Sequence, residues 1–139
     1  MEILYEDNHI IIVNKQAGEI IQGDKTGDRT VADEIKAYLK EKYNKPGAVF
    51  LGIPHRLDRP VSGVSIFART SKALARLNEM FRKGEIEKTY QAIVIHEPQI
   101  ASGTLEHWLT RNEKQNKAYA YKAPQKNAKK AILDYKVEA

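Results

Sequence analysis

Residues 54–69, Pro-His-Arg-Leu-Asp-Arg-Pro-Val-Ser-Gly-Val-Ser-Ile-Phe-Ala-Arg, constrain this chain more than any other stretch. His55, Arg56, Asp58 and Arg59 place four ionisable side chains within five positions. Pro60 fixes its own φ and disfavours the α region at Arg59, so no helix continues through Asp58. Gly63 frees the backbone to turn where a side chain would obstruct it, and an apolar run from Val64 to Ala68 follows. That order is the order of a site loop feeding a strand. A carboxylate flanked by Arg56 and Arg59 is expected to stay ionised, which makes Asp58 a candidate nucleophile or base. The plainer alternative for the same residues is a surface aspartate in a salt-bridged turn.

The rest of the composition narrows the classes available. A chain of 139 residues fits one domain, 1–139, with a core of its own. A net charge of +5 makes a polyanionic partner plausible without establishing one. With no cysteine, disulfides, thiolate catalysis and cysteine-based zinc sites are excluded. The histidines at 9, 55, 96 and 107 have no i, i+4 spacing, so no metal is expected. No apolar run approaches a membrane span, and Met1-Glu2 leads straight into a strand-like segment, so the expected location is cytoplasmic.

Taken in order, Ile3-Leu4-Tyr5 and His9 to Lys15 are β-branched and aromatic runs around the turn-forming Glu6-Asp7-Asn8, and they predict a hairpin. Lys15-Gln16-Ala17-Gly18 turns the chain, and Gly23 to Asp28 reads as a loop. Thr30 caps a predicted helix with Val31, Ala32, Ile35, Tyr38, Leu39 and Tyr43 at three- and four-residue steps; Asp33 stands at the capping-box position, and Asn44 to Gly47 end it. The run Val49 to Ile53 delivers the chain to the site loop. After the strand at Val64 to Ala68, Ser71 caps a second predicted helix whose Ala73, Leu74, Leu77, Met80 and Phe81 face a core, and Gly84 stops it. Arg76, Arg82 and Lys83 read as its solvated face. Glu87 to Val94 predicts a strand with Lys88, Tyr90 and Ala92 on one face. Thr104 to Leu109 and Ala131 to Val137 have strand character. Between Arg111 and Lys130, seven Lys or Arg stand against one acid, with Tyr119 and Tyr121 interleaved. That pattern fits either a phosphate-tracking surface or, on its own, more simply a solvated hairpin.

His55-Arg56-Leu57-Asp58, two residues, then Val61-Ser62-Gly63 resembles the His-Arg-Leu-Asp-x-x-Thr-Ser-Gly signature of the RluA-type pseudouridine synthases, with Val61 at the usual Thr position. Lys15 to Gly18 is similar to their Lys-Pro-Ala-Gly with Gln16 for Pro, and Lys88 to Val94 to their Lys-x-Tyr-x-Ala-x-Val. A protein-kinase catalytic loop is excluded, because Leu57 interrupts His-Arg-Asp and no glycine-rich phosphate loop precedes it. The resemblance implies an α+β fold, a mainly antiparallel mixed sheet carrying two helices. It implies an isomerase that converts uridine to pseudouridine in ribosomal or transfer RNA without a cofactor. Asp58 is then the catalytic carboxylate, and Tyr90 stacks on the extruded uracil. Arg56 enters the RNA stack, and Arg59 and Lys88 contact RNA. The family's later Gly-Arg-x-His-Gln-Ile-Arg element does not occur, so residues 1–139 are expected to be the N-terminal portion of one catalytic domain, inactive alone and prone to self-association through an unpaired edge at Ala131 to Val137. The competing readings are a non-catalytic RNA-binding module and a structural domain with a basic surface.

Overall fold

The computed structural model describes residues 1–23 and 27–138; residues 24–26 of the expected loop lie outside the described residues. By internal contacts the chain divides into two units, Met1–Thr89 and Tyr90–Ala139.

In the first unit, β1 (Glu2–Glu6), β2 (Ile10–Lys15) and β3 (Gly63–Ala68) form an antiparallel sheet in the order β1-β2-β3. The expected hairpin is present, and Asp7 Oδ1 shapes its turn by accepting the backbone N–H groups of His9 and Ile10, each at 2.7 Å. Alternation along β2 sends Ile11, Val13 and Lys15 to one face, all fully buried. Helix α1 (Val31–Lys42) covers that face, where Val31, Ile35 and Leu39 pack with Ile11, Val13 and Phe67. Each fully buried aliphatic side chain here contributes about 1.5–3 kcal/mol of transfer free energy. Helix α2 (Ser71–Lys83) packs Ala73, Leu74 and Leu77 against Ile10, Ile66 and Ala68, the alternate set on β2 and β3. The central sheet is therefore sandwiched between two helices.

The caps follow local chemistry. Thr30 Oγ1 accepts from the Asp33 N–H at 3.0 Å while the Asp33 carboxylate accepts from the Thr30 N–H at 3.2 Å, a full capping box built with Asp in place of Glu. For α2 the cap is Thr70, one residue before the expected Ser71, because Thr70 has the extended backbone that lets its hydroxyl accept from Ala73 N–H. Met80, expected in the core, is 37% exposed, and Phe81 packs instead on the ring of His55.

In the second unit, β4 (Ser102–Asn112), β5 (Lys117–Tyr121) and β6 (Lys129–Lys136) form a second antiparallel sheet in the order β5-β4-β6. The α+β class with two helices holds, and the ladders are wholly antiparallel in two sheets where one mixed sheet was expected. The basic stretch after Arg111 lies in and after the exposed β4–β5 hairpin. The strand expected over Glu87 to Val94 is absent: β propensity acts through cross-strand packing, and among the described residues no strand pairs with this segment. Its Ile93, and Ile95 just after it, are almost completely exposed. Among the described residues no helix is long and apolar enough to cross a membrane.

Candidate active site

The site loop hangs between two points of the first unit. At its start, Gly52 pairs with Ala68 through two backbone hydrogen bonds of 2.8 and 2.9 Å. A Cβ at Gly52 would lie 2.8 Å from Leu74 of α2, so only glycine lets the strand edge and helix approach this closely. At its end, Gly63 has φ +134°, a conformation that L side chains rarely adopt, and from there the chain enters β3. Asp58 opens a tight turn in which its carbonyl accepts from the Val61 N–H at 3.0 Å.

What holds this loop is Lys15. Its side chain is fully buried at the end of β2, and Nζ donates to the carbonyl oxygens of Gln16 (3.1 Å), Asp58 (3.1 Å), Arg59 (3.3 Å) and Val61 (2.5 Å). A single ammonium thus gathers three carbonyls of the loop and one of the preceding turn. Burial pushes the Lys15 amine below its ordinary pKa, and the charges of Glu19 and Asp58 act against that push. The period-two pattern of β2 already places Lys15 on the buried face with Ile11 and Val13; the site residues named from the sequence did not include it.

The Arg59 backbone carbonyl also accepts from Gly18 N–H at 2.8 Å, tying the loop to the turn after β2. Its guanidinium donates to the Gly18 carbonyl through Nε at 3.1 Å and to Asp28 through Nη2 at 2.8 Å. The expectation that Arg56 and Arg59 flank the Asp58 carboxylate is therefore corrected. Neither forms an ion pair with it among the described residues, since Arg59 is turned toward Asp28 and Arg56 is exposed. Lys15 reaches Asp58 through the backbone carbonyl, not the carboxylate.

His55 works as a tether. Its Nε2 accepts from the Ile66 N–H of β3 at 3.1 Å, and its ring lies 5.1 Å from that of Phe81 on α2. Accepting at Nε2 requires the neutral ring with the proton on Nδ1. Burial, then the nearby charge of Lys88, pushes the His55 pKa down and keeps it in that form. Tyr90 belongs to the second unit, where it is 62% exposed and outside any strand. The result is an exposed carboxylate at the head of a loop whose backbone is fixed from below by one buried cation.

The family model for RNA pseudouridylate synthase matches residues 9–139. A ribosomal large subunit pseudouridine synthase C from Salmonella typhi is 36% identical over 110 residues, which cover 79% of this chain and 33% of that protein. An uncharacterized RNA pseudouridine synthase from Chlorobaculum parvum is 36% identical over 142 residues, covering 97% of this chain and 42% of the other. Among solved structures, human RNA pseudouridylate synthase domain containing 4 matches with a TM-score of 0.78 at 23% identity, covering 98% of this chain and 53% of that one, a likeness of fold. The chain thus spans between a third and about half of the length of these relatives. With the matched family model running through the loop at 55–63 and the turn at Lys15 that holds it, the chain belongs to the RNA pseudouridylate synthase family, in its RluA type.

Proposed function

We propose that this chain carries the catalytic aspartate of an enzyme that isomerises uridine to pseudouridine in structured RNA. Ribosomal RNA is the first substrate to test, because the named relatives are ribosomal large subunit synthases; transfer RNA is the second. The order of its motifs and the share of its relatives that it covers support reading residues 1–139 as the N-terminal portion of one longer catalytic domain.

The observation that carries the reading is the pairing of an exposed carboxylate with an immobilised backbone at Asp58. In the reaction the N1–C1′ bond breaks, the uracil turns, a C5–C1′ bond forms, the C5 hydrogen leaves as a proton and N1 ends protonated. A carboxylate serves this by attacking C1′, or by stabilising positive charge on the sugar while a glycal forms. Either role needs the carboxylate held in place, since a displacement of about 1 Å costs roughly 10²-fold in rate. The Lys15 carbonyl clamp supplies that restraint. Arg56, exposed and without an ion pair among the described residues, enters the RNA stack as the target base is extruded. Tyr90 stacks on the extruded uracil, while Lys88 and the solvent-facing part of Arg59 meet phosphates. The C5–C1′ bond replaces the N1–C1′ bond, the proton lost from C5 is balanced by the one gained at N1, and no electron is transferred, so the chemistry calls for no cofactor.

The test is release of tritium from RNA labelled at C5 of uridine, using the protein that carries these residues. Asp58→Asn is expected to lower release by at least about 10²-fold while RNA affinity stays within a few-fold of wild type. Release by the Asn variant at near wild-type rate would remove Asp58 from its role. A wild-type protein that binds RNA and releases no label from ribosomal or transfer RNA pools would instead be an RNA-binding module.

A further inference from the structure

The register of the second sheet gathers its aromatic residues on one face. Directly opposed residues on neighbouring strands share a face, and Trp108 of β4 stands opposite Tyr121 of β5 and Lys130 of β6. Two residues on, Thr110 stands opposite Tyr119, and then Asn112 opposite Lys117. One face of the β4–β5 hairpin therefore presents Trp108, Tyr119 and Tyr121 as neighbours. Tyr119 and Tyr121 are both 38% exposed, and Lys117 and Lys130 are exposed beside them. The Lys117 ammonium lies 5.4 Å from the Tyr119 ring centroid and the Lys130 ammonium 5.8 Å from that of Trp108. Both ammonium groups lie over the rings, so a base that stacks there displaces them toward its own phosphate. Lys130 also pairs with Glu106 at 2.9 Å, and Asp134 shares the face further along, so acids bound the platform at the start of β4.

We propose that this face is a stacking platform for unpaired bases of RNA, a binding site separate from the loop at Asp58. Large flat rings interleaved with cations suit single-stranded nucleic acid because every base offers a π face and every nucleotide a negative charge. A purely solvated hairpin has no need of three adjacent aromatic rings on one face. The choice of RNA over another polyanion rests on the proposed function, and the charge of the stretch agrees with it.

Trp108 is the only tryptophan of the chain, so its fluorescence reports on the platform alone. Titration of the whole chain with a single-stranded oligouridylate or oligoadenylate is expected to quench that fluorescence and to saturate. Tyr121→Leu and Tyr119→Leu, which keep an apolar side chain and remove the π system, should each weaken the binding about tenfold, and Lys117→Gln should lower its salt dependence. Circular dichroism of each variant checks that the sheet is retained; a variant that loses the sheet is replaced by Tyr→Phe at the same position, which should bind like wild type. Equal quenching by polyglutamate would mean that charge alone, as in an acidic protein partner, occupies the face, and would overturn the proposal. So would unchanged affinity in both Leu variants. Tritium release by the longer protein that carries these residues, with no quenching in this chain, overturns the platform and leaves the enzyme reading standing; quenching in this chain with no release by that longer protein does the reverse.

Discussion

At the scale of single residues, the decisive one is Lys15. A buried ammonium with no hydrogen-bonded carboxylate is ordinarily unfavourable, and here four carbonyl oxygens take the place of its water shell. Removing the ammonium takes the bond from the Val61 carbonyl, costing about 1–3 kcal/mol if nothing replaces it, while the carbonyls of Gln16, Asp58 and Arg59 keep the backbone N–H groups of Glu19, Val61 and Gly18. Lys15→Met is therefore expected to destabilise the chain by about 1–3 kcal/mol in urea unfolding, whereas Lys36→Met on the exposed face of α1 should change it by less than about 0.5 kcal/mol. A loss below about 1 kcal/mol at Lys15 would show that the loop holds its shape without the clamp. Sequence reading found the loop through Asp58 and the signature around it, but not its support, because three of the four carbonyls that Lys15 binds belong to residues more than forty positions later.

At the scale of elements, β1, α1 and β3 are locked by Glu6. Its Oε2 accepts from Tyr38 hydroxyl (2.8 Å) and Lys42 (2.9 Å), and its Oε1 from Tyr43 hydroxyl (2.6 Å) and Arg69 (3.1 Å). Arg69 also donates to the Asp7 carbonyl and stacks 4.7 Å from the Tyr43 ring centroid. Burial alone would raise the Glu6 pKa, but the hydrogen bonds from Lys42, Tyr43 and Tyr38 outweigh it and bring it down to about 2. Because the folded value lies below the unfolded one of 4.5, the stabilisation is fully present above pH 4.5 and is lost as pH falls toward 2. Its size is on the order of 2–3 kcal/mol. Unfolding free energies of wild type and Glu6→Gln from urea titration should differ by that amount at pH 6 and converge near pH 2. A difference that does not vary with pH would mean that shape rather than charge secures the junction.

For the molecule as a whole, the buried hydrophobic residues lie in the first unit, and the second sheet is largely exposed on both faces. The edge strand β6 carries Lys129, Lys130 and Lys136, which discourage edge-to-edge pairing. The segment with Ile93, Val94 and Ile95 has no such protection: three β-branched residues are exposed and outside any ladder. Self-association of this chain, expected from the sequence at Ala131 to Val137, is therefore proposed to run through residues 93–95. Sedimentation across a concentration series should show a rising average mass, and Ile93→Lys with Ile95→Lys should abolish the rise. Persistence of association in that double variant, with its loss on blocking β6, would return the contact to the strand edge.

Patterns local to a few residues were enough to establish the hairpin, both helices, the capping box at Thr30 and a loop through Asp58 before β3. Hydrophobic period, cap chemistry and glycine placement act between near neighbours, so they can be read before the chain folds. Partner choice acts over long sequence distances and was decided only by the tertiary structure. Arg59 lies one residue from Asp58 in sequence, yet its guanidinium meets Asp28; Lys15 is far away in sequence and holds the loop. The segment at 87–94 has strand composition and no ladder, because a strand exists only where another backbone supplies its hydrogen bonds. The aromatic face of the hairpin likewise depends on which residue of β5 stands opposite Trp108, a register that composition does not state.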